Sequence, residues 1–211
     1  MITIVDYDMA NLRSVQKAIE AVGHSARIVR KPDEIRSAEK LIVPGVGAFK
    51  DAVRVLRERK LDSAILSHIE KGRPFLGICL GMQMLFERGH EDGLHEGLGL
   101  FAGDVVRFTV DKTAGLKVPH MGWNTLNVRV SPPPPLLAGL TGESGAEPSV
   151  YFVHSYHCQP KDESIIAATT EYGPGPGFVS SISVRNVHAT QFHPEKSQAV
   201  GLKILRNFAE L

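Results

Sequence analysis

Cysteine is scarce in this chain: Cys79 and Cys158 are the only two in 211 residues. Small secreted domains held by disulfides are usually shorter and far richer in cysteine, so this composition points to a reducing compartment. An excess of one charge is also missing. Lys and Arg total 24 against 23 for Asp and Glu, which gives no overall electrostatic case for nucleic acid or an anionic membrane as partner and leaves only a local patch open. No apolar run approaches bilayer-spanning length, and MITIVDYDM lacks the basic start, long apolar stretch and cleavage site of a secretory leader. The expectation is a soluble, cytoplasmic protein. With 43% hydrophobic residues a substantial core can form, and the length suits one domain over residues 1–211.

What is present is an alternation. Ile2 to Asp6, Ala26 to Val29, Leu41 to Val43 and Phe75 to Ile78 read as strands. Asn11 to Val22, Lys50 to Arg59 and Leu61 to Lys71 read as helices between them. This order predicts an α/β fold with a mainly parallel, doubly wound sheet. From Gly103 onward the runs become short and β-rich: Val105 to Val110, Trp123 to Val130, Val150 to His154, Ile165 to Thr170, Val179 to Val184 and Ala189 to Phe192. They are expected to extend the same sheet in antiparallel fashion. Ser197 to Leu211 closes the chain as a helix with Ser197 as N-cap, its Val200, Ile204, Leu205 and Phe208 at helical spacing. The run Pro132 to Pro135 and the polar stretch Gly139 to Ser149 read as a surface excursion. As a domain linker it would leave only about 60 residues downstream, close to the lower limit for independent folding. GPGPGF at Gly173 to Phe178 reads as a turn, and no internal repeat is visible.

Within this pattern Cys79 stands out, set between glycines in GICLGMQ from Gly77 to Gln83. It falls where the Phe75 to Ile78 strand gives way to a helical run, Leu80 to Glu87, as the nucleophile does in a strand-turn-helix elbow. Glycines two residues to either side have a steric reason, since the sharp turn presses backbone against backbone. A thiol at a helix N-terminus also gains from the dipole as thiolate. A buried structural cysteine is the plainer alternative.

A thiolate nucleophile needs a base and a group that orients the base. His193 and Glu195 in FHPEKS flank Pro194 after a late strand, and a neighbouring elbow strand would bring the imidazole to Cys79. Taken alone, HPE is also compatible with a solvated turn. PGVGAF, Pro44 to Phe49, follows another strand; its glycines at 45 and 47 allow amide hydrogens to converge as an oxyanion hole requires. A phosphate nest is the rival reading, weakened by the absence of a P-loop Lys and Ser/Thr. Nine histidines raise the question of a metal. His154 and His157 are three apart on or beside a strand, hence on opposite faces, and His90 and His95 lie in a polar loop. No metal and no cofactor is expected. Arg54, Arg57, Glu58, Arg59 and Lys60 read as a solvated helix face.

PGVG, GICLGMQ and FHPEKS, in that order and across nearly the whole chain, resemble the class I glutamine amidotransferases. That resemblance implies a Cys79, His193 and Glu195 triad: the cysteine attacks the glutamine carboxamide, a thioester forms, ammonia leaves, and water releases glutamate. It further implies that amide hydrogens near Gly47 and Leu80 bind the oxyanion and that Gln83, Glu91, Ser155 and Tyr156 hold glutamine. DYDMANLRSV at Asp6 to Val15 and PHMGWN at Pro119 to Asn124 are similar to segments of those glutaminase subunits in the family that serve histidine biosynthesis. Ammonia would then pass to a cyclase subunit, a (βα)8 barrel, within a heterodimer. Asn11, Met121, Trp123 and Lys196 match positions expected near that partner. The first loop departs from the family pattern DYGxGN at Asp8 and Ala10, which puts its contact with the partner in doubt where a glycine had positive φ. Cys158 matches no family role.

Two other readings stay open at this point. One is a glutaminase serving another pathway, such as vitamin B6 or anthranilate synthesis, against which PHMGWN and NLRS argue. The other is a non-enzymatic binding module on the same fold, against which the intact Cys, His and Glu set argues. The resemblance, together with the flexibility of a Gly-flanked oxyanion loop, also implies low activity alone and activation by the partner with its nucleotide substrate.

Overall fold

The short apolar runs of the first half become the parallel centre of an eight-stranded sheet. The computed structural model describes residues 1–109, 116–140, 147–173 and 177–211. In chain order the elements are β1 (Ile2–Val5), α1 (Leu12–Ala21), β2 (Ala26–Val29), α2 (Pro32–Arg36), β3 (Lys40–Gly45), α3 (Phe49–Glu58), α4 (Leu61–Glu70), β4 (Phe75–Cys79) and α5 (Leu80–Gln83). They continue with β5 (Phe86–Gly89), β6 (His95–Glu96), β7 (Phe101–Arg107), β8 (His120–Thr125), β9 (Asn127–Val128), β10 (Ser149–His154) and β11 (Tyr156–Pro160). The last are β12 (Ile166–Thr170), β13 (Phe178–Val184), β14 (Val187–Thr190) and α6 (Gln198–Glu210). The main sheet runs β2-β1-β3-β4-β14-β13-β12-β9. Its members from β2 to β14 pair in parallel, and β13, β12 and β9 add antiparallel strands beyond them.

Both faces of the parallel strands are covered, which is why these strands are nearly continuous apolar runs. Side chains alternate: Ile42 packs with Ile4, Ile78 and with Ile19 and Phe208 of α1 and α6. Its neighbours Leu41 and Val43 pack on the other face with Leu56 of α3 and Ile65 of α4. Each fully buried Leu, Ile or Phe here contributes about 1.5–3 kcal/mol relative to exposure. Among the described residues no helix is long and apolar enough to cross a membrane.

Several details differ from the sequence-based expectation. Not all of the later strands join the main sheet: β8 pairs with β10 alone, and β5, β6, β7 and β11 form a sheet of four. The helix expected over Leu80 to Glu87 ends at Gln83. From Phe86 the backbone pairs with β7 and β6, and the Arg88 guanidinium grips the Asp104 carboxylate with two bonds of 2.9 Å. This edge-to-edge pairing outweighs the local helical spacing. The short helix α2 was not evident from periodicity; Pro32 at its first turn and the Lys31 N–H, which donates to the Glu34 carboxylate at 3.2 Å, define it.

The proline run Pro132 to Pro135 lies at the surface, but the two residues that follow it do not. Leu136 and Leu137, in the 3-10 turn Pro135–Leu137, are buried under α6, and the Asn207 amide donates to the carbonyls of Leu136 and Ala138. Most of the polar stretch after Gly139, the middle of GPGPGF and Val110 lie outside the described residues.

Candidate active site

Three adjacent parallel strands end together, and each delivers one of the three motifs. β4 lies between β3 and β14; Gly45 pairs with Cys79 on one side, and Thr190 pairs with Ile78 on the other. Ligands in open parallel sheets gather at these carboxyl ends. Cys79 closes β4 with φ 55° and ψ −109° and passes directly into α5. A non-glycine residue rarely occupies such a conformation, and it is held here by its surroundings. A β-carbon on Gly81 would lie 1.9 Å from the Val43 carbonyl oxygen, and one on Gly77 would lie 2.7 Å from the Gly81 carbonyl oxygen. The steric requirement for glycine on both sides of Cys79 is therefore met by backbone that cannot retreat.

Beyond β14 the chain turns so that His193 lies beside the elbow. Its backbone is pinned by three bonds: its N–H donates to the Tyr151 carbonyl at 3.0 Å, and its carbonyl accepts from Lys196 N–H at 3.0 Å and Ser197 Oγ at 2.6 Å. Ser197 does precede α6, yet its hydroxyl makes no capping bond; it joins His193 to the Tyr151 N–H of β10 instead. His193 Nδ1 sits 2.7 Å from Glu195 Oε1, with both side chains almost fully buried. Since a carboxylate accepts, the proton belongs on Nδ1. Nε2 has no nitrogen or oxygen partner among the described residues. Burial acts most strongly on this imidazole and disfavours its charge, but the charge of Cys79 as thiolate, together with bonds to Cys79 and Glu195, raises its pKa to about 10.

On the other side of Cys79, the PGVG turn leaves β3. Gly47 has φ 100°, and Val46 N–H donates to the Met9 carbonyl at 2.8 Å rather than toward the cleft. Met9 belongs to the first loop, where Asp8 has φ 69° and Ala10 does not share the positive φ. Asp accommodates this region better than most residues. Its amide donates to Asp6 Oδ1 at 3.0 Å, and its carboxylate pairs with Arg59 and Arg30, bonds that hold its pKa below the ordinary value.

A cleft of about 310 Å3 opens at this point. Its wall includes Gly47, Cys79, Leu80, Gln83, Glu91, Ser155 and Tyr156, so the residues implied for oxyanion and substrate converge on one space. His193 does not line that wall. Glu91 Oε2 accepts the Phe49 N–H at 2.7 Å, which ties the loop carboxylate to the start of α3. Gln83 Nε2 donates to the Tyr156 carbonyl and to Gln191 Oε1, each at 3.0 Å. With both amide hydrogens engaged, Gln83 offers a ligand only its carbonyl oxygen.

Two residues at the centre went unmarked in the sequence. Gln191 is fully buried and its Nε2 donates to Cys79 Sγ at 3.6 Å; a polar residue directly after β14 and two before His193 was the available signal. Tyr7 is fully buried with a hydroxyl that has no partner among the described residues. Burial, then the charge of Cys79, pushes its phenol far above the ordinary range. Nothing in the sequence pointed to it. His154 and His157 are not on opposed faces of one strand: Ser155 interrupts it, they fall in β10 and β11, and both rings contact Phe108, at 5.1 and 4.7 Å. Cys158 is buried and free, its thiol raised by burial.

The four residues expected at a partner face are exposed. Trp123 packs edge-on against Tyr151 at 6.1 Å, and Lys196 Nζ lies 5.9 Å over the same ring. Met121 is 61% exposed on the strand that carries Trp123. Asn11 precedes α1, which packs beside the 3-10 turn Pro194–Lys196. Three of the four therefore form one patch, and Asn11 opens the neighbouring helix.

Comparison with known proteins agrees with this architecture. Residues 3–211 match the family described as glutamine amidotransferase class-I. The chain is 51% identical to the imidazole glycerol phosphate synthase subunit HisH of Syntrophotalea carbinolica, with all of both chains covered. It is 52% identical to the protein of the same name from Rhodopirellula baltica, covering 99% of this chain and 97% of the other. Among solved structures, that of PurLQS from Thermotoga maritima superposes with a TM-score of 0.76 at 20% identity over 99% of this chain and 97% of that one, a likeness of fold.

Proposed function

The chain belongs to the class I glutamine amidotransferases, and we propose that it hydrolyses glutamine as the glutaminase subunit of an imidazole glycerol phosphate synthase. The observation that carries this reading is the junction of β3, β4 and β14, which sets Cys79 between the PGVG turn and the His193–Glu195 pair. Cys79 Sγ attacks the carboxamide carbon, and the carbonyl oxygen takes up negative charge facing amide hydrogens near Gly47 and Leu80. His193, holding a proton on Nε2, gives it to the leaving nitrogen, so that ammonia departs and a thioester remains. Neutral His193 then takes a proton from water as the water adds to the thioester, and glutamate leaves as the C–S bond breaks. Glu195 keeps Nδ1 protonated and the ring aimed at sulfur. Glu91 offers a carboxylate to the α-ammonium of glutamine, Gln83 offers a carbonyl oxygen, and Ser155 with Tyr156 closes the far wall.

Ammonia passes to the cyclase subunit, a (βα)8 barrel, which forms imidazole glycerol phosphate and an aminoimidazole carboxamide ribotide in histidine biosynthesis. The reading takes residues 1–211 as one domain of a cytoplasmic heterodimer that needs no cofactor. Asn11, Met121, Trp123 and Lys196 form its partner face. Because Val46 N–H is held by the Met9 carbonyl, the oxyanion turn is not fully aimed at the cleft in the isolated chain. Partner and nucleotide substrate release it, which avoids idle hydrolysis. The test is to measure glutamate formation with and without the cyclase subunit and its nucleotide. A rise on mixing is expected; equal rates would remove the assignment.

A further inference from the structure

A row of polar groups links the strand that carries Trp123 to the sulfur of Cys79. Asn124 fixes its start: Oδ1 accepts the Thr125 N–H at 2.9 Å, and Nδ2 donates to the Glu171 carbonyl at 2.8 Å. The second hydrogen of Nδ2 meets His120 Nε2 at 3.3 Å, which makes that nitrogen an acceptor. His120 Nδ1 lies 3.2 Å from His154 Nε2, and His154 Nδ1 lies 2.8 Å from the Tyr156 carbonyl, which can only accept. Every donor therefore faces an acceptor when both imidazoles are neutral with the proton on Nδ1. Burial favours that state, lowering His120 to about 4 and His154 to about 3. From Tyr156 the row continues through Gln83 and Gln191 to Cys79 Sγ.

We propose that His120 and His154 are positioning residues for glutamine hydrolysis, their one-way hydrogen bonds fixing the Tyr156 carbonyl and, through Gln83 and Gln191, the orientation of Cys79 Sγ. The proposal rests on the reading of Cys79 as the nucleophile. The rings sit among Phe108, Phe152, Tyr172 and Phe178, where His120 stacks on Phe152 at 4.9 Å. An apolar ring would fill that space without desolvating two imidazoles, so packing alone does not account for them. β8 turns Met121 and Trp123 outward while His120 is buried, so the row spans from the back of the exposed patch to the sulfur.

The test uses the heterodimer with the cyclase subunit and its nucleotide, and the variants His120→Phe, Gln191→Met and the pair. His120→Phe is expected to lower glutaminase kcat tenfold or more, with KM within twofold and heterodimer affinity unchanged. The loss in the double variant should fall at least threefold short of the product of the single losses, as for groups acting as one unit. A His120→Phe kcat within twofold of the parent, or losses that multiply, would overturn the proposal. Where a variant does not fold, nitrogen-15 spectra of histidine in the unmodified heterodimer decide: Nδ1–H neutral tautomers on both rings are expected, and an imidazolium or an Nε2–H form on either ring at neutral pH overturns it. A parent heterodimer that hydrolyses no glutamine would instead remove the functional reading, whatever the tautomers.

Discussion

Gly45 and Cys79 face one another as the last register pair between β3 and β4. The turn expected to hold the oxyanion thus begins level with the expected nucleophile, and the two leave the sheet side by side. A β-carbon on Gly45 would lie 2.2 Å from the Tyr7 hydroxyl and 2.9 Å from Leu80 Cβ. The first position of the turn is therefore wedged between a buried phenol and the residue after the cysteine.

Gly45→Ala should destabilise the protein by about 1–3 kcal/mol, the usual range for overpacking a tight site. Tyr7→Phe alone should stabilise by ~1 kcal/mol, because it removes a buried hydroxyl left unpaired, and it should lessen the cost of Gly45→Ala. Urea unfolding of the two single variants and the double variant checks this; additive effects would contradict it.

Gly81→Ala should cost more, above ~3 kcal/mol, since the added methyl meets the Val43 carbonyl and backbone cannot move aside as a side chain can. A shift in unfolding midpoint reads the effect.

Glu195→Gln should lower kcat by about 10²- to 10⁴-fold, the range for a disturbed general acid–base group. It also removes one of the influences that raise His193, so the alkaline limb of the pH–rate profile should move to lower pH. The linkage has a definite sign. His193 rises from 6.5 to about 10 on folding, so its bound proton stabilises the folded protein fully below pH 6.5, and that contribution is lost as pH climbs toward 10. Unfolding free energies at pH 7 and pH 9.5 should converge in Glu195→Gln relative to the parent.

The parallel half was legible because strands covered on both faces must be apolar throughout and helices between them amphipathic. GICLGMQ was legible because a sharp strand-to-helix turn demands glycine at 77 and 81, although the backbone that Gly81 clears is that of Val43 in β3. What was hidden depends on partners distant in sequence. The helix after Cys79 stops at Gln83 because β5 finds β7, and Leu136 is buried against α6, whose Asn207 donates to its carbonyl. Tyr7 and Gln191 reach Cys79 only through strand order, and the Nδ1 protons of His120 and His154 follow from a neighbour at each end. Periodicity carries none of that information.

The Val46 amide should respond to the partner. In the isolated chain its bond to the Met9 carbonyl protects it from exchange; with the cyclase subunit and nucleotide bound, its exchange or its chemical shift should change while amides in β1 stay constant. An unchanged Val46 signal in an activated complex would argue that another group completes the oxyanion site.

The central claim concerns sulfur, and one comparison addresses it most directly: glutamine hydrolysis by the heterodimer carrying Cys79→Ala, with association of the two subunits measured on the same sample. The account predicts hydrolysis reduced at least ~10³-fold with association intact. Hydrolysis retained near the parent rate by an associated complex would contradict it.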